Sequence, residues 1–195
     1  MPQKTIELNM DEIRFTSDEN TVLITHGITT CIAFTVQGSF WDDDDDEIEY
    51  CGLYHWSGFD SSSTPHGQQT EKALTYFLEK LRDFAGLDAT SNITIDVLEF
   101  IGGEKEQQDT EGSTIVSGTE AEVNSLEKAV AEFDYTAMHF ILSDDAISHQ
   151  HFLTTNEQST SIELSIDECV LRVEETESVE LQEEIECYST AMLIV

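Results

Sequence analysis

A chain of 195 residues with 39% hydrophobic content can bury a sizeable core in one domain or two small ones. Its 41 acidic and 8 basic residues give a formal net charge of -33, which opposes binding to nucleic-acid phosphates. No stretch approaches the roughly 18 to 20 consecutive apolar residues of a membrane span, and the N-terminus lacks the basic and apolar regions of a signal peptide, so a soluble protein is expected.

Strand-like runs rich in β-branched residues occur at Thr5–Met10, Thr21–Thr25, Cys31–Gln37 and Ile48–Trp56, with turn chemistry at Ser17–Asn20. Asp42–Glu47 is a run of six acids that reads as a solvated hairpin tip. The segment from Ser57 to Gly67 is turn chemistry throughout, after which Leu74, Phe77, Leu78, Leu81 and Ala85 fall at helical spacing, predicting a helix over Gln68–Ala85 ended by Gly86. Ile93–Ile101 predicts a strand stopped by Gly102-Gly103.

A polar loop then runs to Gly118, and Thr119–Glu122 fits a capping box that opens a helix with Val123, Leu126, Val130 and Phe133 on one stripe. Ala137–Leu142 reads as a short buried strand, Ile162–Val173 as an alternating strand and Ala191–Val195 as a last apolar strand, with the acidic Glu174–Glu186 a loop or polar helix. With no repeat and no clear linker, one α+β domain over 1–195 is expected.

Cys31, Cys51, Cys169 and Cys187 are too sparse for a disulfide scaffold or a paired zinc motif, which suggests a reducing compartment. His66, His139, His149 and His151 form no recognisable ligand pattern, although His149 and His151 can share a strand face, so neither metal nor cofactor is expected. The acidic surface admits several readings: plain solvation, a strongly basic partner, a high-salt cytoplasm, or lysine scarcity in a protein delivered into another cell.

Nucleophile chemistry is offered in one place, Thr25-His-Gly-Ile-Thr-Thr-Cys31 followed by His55. Taken alone, Cys31 reads as a small core residue and His55 as a satisfied core histidine. The glycine-containing, hydroxyl-rich segment before Cys31 places it where a turn enters a strand, with the backbone N–H groups near Thr30 and Cys31 available as an oxyanion hole. Cys51 lies four strand residues from His55, roughly 13 Å, which is beyond hydrogen-bond reach. Thr25 can present its hydroxyl or carbonyl to the imidazole and fix its tautomer.

Thr25-His-Gly-Ile-Thr-Thr-Cys31-Ile-Ala33 resembles the T-x-G-x-G-S-C-V-A element of the chemotaxis-receptor glutamine deamidases (CheD), and Gly52-Leu-Tyr-His55 resembles their later G-x-x-H strand. The helix after the histidine, followed by a strand ending in Ile101-Gly102-Gly103, is similar to the family's helix and F-G-G-A strand end. The match runs over about residues 20–155, leaving 156–195 as an acidic extension. The catalytic domains of cytotoxic necrotizing factor and Burkholderia lethal factor are similar in the same sense.

The resemblance implies mixed β-sheets packed as a sandwich flanked by helices, in α/β/β/α layers. It implies Cys31 as nucleophile, His55 as general base and acid, and Thr25 as the group that orients His55. The chain departs from the family at Thr29, where glycine is usual, in the Trp-Ser-Gly that follows His55, and in the acidic insertion between the two catalytic strands.

The expected activity is cysteine-dependent deamidation of an exposed glutamine on a partner protein, with a basic partner among the options, with no cofactor, in the cell's own cytoplasm or a host cytosol. Transglutamination is the same site's reaction with an amine. Two rivals stand beside it: a non-catalytic acidic protein that engages a basic partner, and a cysteine protease or small amidase.

Overall fold

The computed structural model describes residues 3–59, 64–88, 90–108, 110–116, 118–155 and 158–175. The expected last strand at Ala191–Val195, the acidic segment beyond Glu175 and Cys187 lie outside them.

The first four strands alternate between two sheets. They are β1 (Lys4–Leu8), β2 (Ile13–Thr16), β3 (Thr21–Ile28) and β4 (Ile32–Trp41). Next come β5 (Glu47–Trp56), the helix α1 (His66–Ala85), β6 (Ile93–Gly102), a small hairpin of β7 (Gln107–Gln108) and β8 (Thr114–Val116), and the helix α2 (Glu120–Glu132). A 3-10 turn at Thr136–Met138 precedes β9 (Phe140–Leu142), β10 (Ile147–His151), β11 (Gln158–Leu164) and β12 (Cys169–Glu175).

One sheet runs β10-β6-β4-β5-β2, with β9 also on β6, and the other runs β1-β3-β11-β12. Both contain parallel and antiparallel pairs, β1 with β3 and β10 with β6 being parallel. The architecture is therefore an α+β sandwich of mixed sheets. Among the described residues both helices cover the same outer face of the larger sheet, so the layers run helices, larger sheet, smaller sheet.

Two apolar interiors hold these layers together. Between helices and sheet, α1 contributes Ala73, Leu74, Phe77, Leu78 and Leu81, and α2 contributes Val123, Leu126 and Val130, the one-sided stripes that a 3.6-residue period gives. Phe34 sits at the centre, with ring centroids 4.9 Å from Phe100, 5.4 Å from Tyr54 and 5.7 Å from Trp56. Between the sheets lie Leu8, Leu23, Ile28, Cys31, Ala33, Cys51, Leu53, Ile101, Ile162 and Leu164. Strand alternation assigns the two interiors: along β5, Tyr50, Tyr54 and Trp56 face the helices while Cys51 and Leu53 face the smaller sheet.

Several local expectations change. Thr119 makes no capping hydrogen bond to α2; its hydroxyl instead accepts from the Glu104 N–H at 2.9 Å, so the helix start is tied to the end of the β6 loop. The run Ile162–Val173 is a hairpin of β11 and β12, turned at Ser165–Glu168 by the Ser165 N–H donating to the Glu168 carbonyl at 2.9 Å. Ala137 belongs to the 3-10 turn, and only Phe140–Leu142 of the expected strand is extended. Residues 158–175, placed by sequence in an acidic extension, complete the smaller sheet, with Ile162 and Leu164 fully buried. The acidic tip at Asp42–Asp46 is a turn as expected, closed by Asp42 Oδ1 accepting from the N–H groups of Asp44 and Asp46.

Candidate functional site

The site lies where the chain crosses between sheets. β3 belongs to the smaller sheet and β4 to the larger, so Thr29–Cys31 is the crossover between them. A bulge prepares it: Thr160 of β11 faces Ile28 and Ile162 faces Thr25, so two residues of β3, His26 and Gly27, oppose one of β11. Gly27 takes the left-handed conformation at φ 74° that this irregularity needs. As a result both Thr25 and Ile28, three residues apart, point into the space between the sheets, where they are buried.

Thr25 reaches across that space. Its Oγ1 lies 2.7 Å from Nδ1 of His55 on β5 in the facing sheet, and the same hydroxyl donates to the Leu8 carbonyl at 3.0 Å. A hydroxyl has one proton. Because Leu8 O can only accept, that proton is engaged, and Nδ1 of His55 must be the donor to Thr25. The neutral imidazole is thereby held as the Nδ1–H tautomer, with the lone pair on Nε2. That Nε2 is shut off from solvent and has no hydrogen-bond partner among the described residues.

Cys31 shares the interior between the sheets into which His55 points. His55 pairs directly with Ala33, and Cys31, two residues before Ala33, is buried in the same interior, which makes it a diagonal neighbour of His55 at roughly 7 Å between Cβ atoms. No hydrogen bond joins Sγ to Nε2 in the unliganded arrangement. The N–H groups of Thr30 and Cys31 donate to no backbone carbonyl among the described residues. The Cys31 N–H acts on its own sulfur, favouring the thiolate.

Glycines press the Cys31 backbone into place. Gly102, at φ 128°, packs so tightly that a Cβ there would come 2.1 Å from the Cys31 carbonyl oxygen, and the Gly103 N–H donates to that same oxygen at 3.3 Å. Gly58, at φ 90°, lies over Cys31, where a Cβ would stand 3.9 Å from the Cys31 Cα.

Asp11 is a site residue that sequence reasoning missed. It sits at φ 61° in the turn between β1 and β2, its N–H donates to the His55 carbonyl at 2.6 Å, and its carboxylate accepts from the Ser57 N–H at 2.9 Å. The His55 N–H donates to the Glu12 carbonyl at 3.1 Å, so the histidine backbone is held from both sides. The Asp11 charge acts on both partners. Burial first, and then Asp11, raises the Cys31 thiol above its ordinary value, whereas burial lowers His55 and Asp11 opposes that lowering. The resting pair is therefore a neutral thiol beside a neutral imidazole.

A second cluster also escaped the sequence. Glu127 of α2 and His149 and His151 of β10 place one ligand atom each within 4.8 Å of one another. They lie on the helix-facing side of the larger sheet, since His149 stacks on Phe100 at 5.2 Å between ring centroids. His66 and His139 are not part of that cluster. Cys51 and Cys169 are free thiols that burial pushes up to about 12. Among the described residues no helix is long and apolar enough to cross a membrane.

No protein-family model matches the chain, and no curated protein matches its sequence.

Proposed function

We propose that the protein is a cysteine hydrolase of carboxamides, acting as a glutamine deamidase on a partner protein, with Cys31 as nucleophile, His55 as general base and acid and Thr25 as the positioning residue for His55. The observation that carries this reading is the Thr25–His55 hydrogen bond, which leaves the imidazole lone pair on Nε2, in the interior that Cys31 shares. The order Thr25, Cys31, His55, Gly102-Gly103 in the chain, which resembles the CheD-like deamidases, supports it.

In the proposed reaction Nε2 of His55 takes the proton from Sγ as the sulfur attacks the carboxamide carbon. Charge moves onto the carboxamide oxygen, and the N–H groups of Thr30 and Cys31, which meet no backbone carbonyl among the described residues, are the donors assigned to hold it. The tetrahedral intermediate collapses, the C–N bond breaks, and Nε2–H protonates the departing ammonia, leaving a thioester. Nε2 then takes a proton from water, the resulting attack breaks the C–S bond, and glutamate and the free thiol remain. A primary amine in place of water gives transglutamination.

The resting thiol and imidazole are both neutral, so transfer from Sγ to Nε2 coincides with attack when a carboxamide closes the site; hydrogen bonds of this kind tighten in the complex. The charge of -33 favours a partner whose reactive glutamine sits in basic surroundings.

The test uses hydroxylamine as a thioester trap with a panel of glutamine-containing proteins of high isoelectric point. Wild type gives ammonia and a mass gain of about 1 Da at glutamine, or the hydroxamate when hydroxylamine is present, and Cys31→Ser gives neither. Cleaved backbone in place of a mass gain assigns the site to proteolysis. Retention of partner binding by Cys31→Ser, lost in moderate salt, together with an inert thiol, assigns the function to the acidic surface.

A further inference from the structure

We propose that Glu127, His149 and His151 form a binding site for one zinc-class divalent ion that ties α2 to the edge strand β10, independently of the thiol site.

The two imidazoles are arranged as ligands before any ion arrives. Nδ1 of His151 lies 2.8 Å from the Gly102 carbonyl, which can only accept, so Nδ1 carries the proton and Nε2 the lone pair. A ring N–H donated to a backbone carbonyl is the support that orients metal-bound histidines. Nε2 of His151 lies 3.3 Å from Nδ1 of His149. Two nitrogens bound tetrahedrally at Zn–N distances of about 2.0–2.1 Å stand about 3.3–3.4 Å apart, so the observed separation is already that of two ligands on one ion.

Without an ion, His149 Nδ1–H donates to His151 Nε2. On binding, the His149 proton moves to its own Nε2, and both lone pairs face the ion with no net proton release. The Glu127 carboxylate, exposed on α2 and within 4.8 Å of both nitrogens, needs a change of rotamer to complete the set. Water takes the remaining position.

The surroundings suit this chemistry. Both rings are half-buried and fixed, His149 against Phe100 and His151 within 6.0 Å of the Phe152 ring. One ligand atom of the Glu127 carboxylate and one nitrogen of each ring lie within 4.8 Å of one another, so the carboxylate stands beside both rings. Two imidazoles with one carboxylate favour zinc, cobalt or nickel over magnesium or calcium, which take oxygen ligands. This separates the site from the diffuse cation attraction of the acidic surface.

The experiment is a titration of the chelator-treated full chain with Co2+ in excess Mg2+, followed by displacement with Zn2+. The expected result is one equivalent of four-coordinate cobalt with visible d–d absorption, displaced by one equivalent of zinc. Affinity falls at least about tenfold in His149→Asn and His151→Asn and by a smaller factor in Glu127→Gln. Glu127 is on an exposed helix face, so that variant tests the site even where a histidine variant fails to fold. Zinc raises the thermal midpoint of wild type and leaves that of His149→Asn unmoved. Binding that Mg2+ abolishes, that exceeds one equivalent with no four-coordinate spectrum, or that survives all three substitutions overturns the proposal. A sulfur-to-cobalt charge-transfer band lost in Cys31→Ser overturns it too, by moving the ion to the thiol.

Discussion

Replacing Thr25 by valine keeps the volume and the β-branched shape in β3 and deletes only the hydroxyl that joins the two sheets. His55 Nδ1–H then has no acceptor within a closed interior, since Thr25 is its hydrogen-bond partner at 2.7 Å. An unsatisfied buried polar group costs about 1–3 kcal/mol. With that acceptor gone nothing holds the proton on Nδ1, and a proton on Nε2 occupies the lone pair that would accept from Cys31. At 1.36 kcal/mol per factor of ten, the ratio of the productive tautomer to the other falls by about 5- to 150-fold, and the rate of Cys31 alkylation near neutral pH falls with the productive share.

The same loss lowers the thermal midpoint by roughly 2–12 °C for a chain of this size. Long-range proton–nitrogen NMR of His55 reads the tautomer, and mass spectrometry of iodoacetamide-treated protein reads the rate. Thr25→Ser restores both, because serine keeps the hydroxyl. A folded Thr25→Val protein that labels Cys31 at the wild-type rate with His55 still in the Nδ1–H form refutes the reasoning.

Three further outcomes are expected. Asp11→Asn removes a charge that raises both Cys31 and His55 while keeping an oxygen for the Ser57 N–H, so both limbs of the pH profile of Cys31 alkylation move to lower pH; a profile that stays in place removes Asp11 from the site. Gly102→Ala drives a Cβ to within 2.1 Å of the Cys31 carbonyl oxygen at φ 128°, so it lowers the thermal midpoint and abolishes preferential labelling of Cys31, and wild-type behaviour in both shows that the crossover is not held there. His55, His149 and His151 all have folded values below the ordinary 6.5, so the unfolded chain takes up protons first on acidification. The stability they supply is complete above about 6.5 and is lost as pH falls through their lowered values, which denaturant melts between pH 8 and 5 would show as a midpoint falling with acid; one flat across that range contradicts it.

What the sequence reveals follows the range of the interactions. α1 announces itself because Leu74, Phe77, Leu78 and Leu81 repeat with the helical period and Gly86 takes the left-handed cap with its N–H on the Arg82 carbonyl. β10 does not, since all five of its residues are half-buried and Ser-His-Gln-His has no apolar alternation to read. β2 is four residues long and is defined by pairing with β5, some forty residues later in the chain. Asp11 is invisible for the same reason: its turn gains meaning only when β2 docks beside His55.

Thr25 is legible as a partner of His55 because a hydroxyl, a thiol and an imidazole fall on neighbouring strand-like segments. That it comes from the facing sheet rather than an adjacent strand could not be read, since strand order is set by long-range pairing. The apparent capping box at Thr119 failed because the Glu104 backbone competes for the same hydroxyl. Glu127, His149 and His151 meet only because α2 crosses the edge strand, and spacing along the chain does not encode that crossing.

The most direct test of the central claim is the pH dependence of iodoacetamide labelling at each cysteine of the intact protein, in wild type and His55→Ala. Labelling confined to Cys31 near neutral pH, falling about a hundredfold or more when His55 is removed, is the predicted result. Slow labelling shared among the cysteines and indifferent to His55 would contradict the account and make Cys31 a core residue of the sheet crossover.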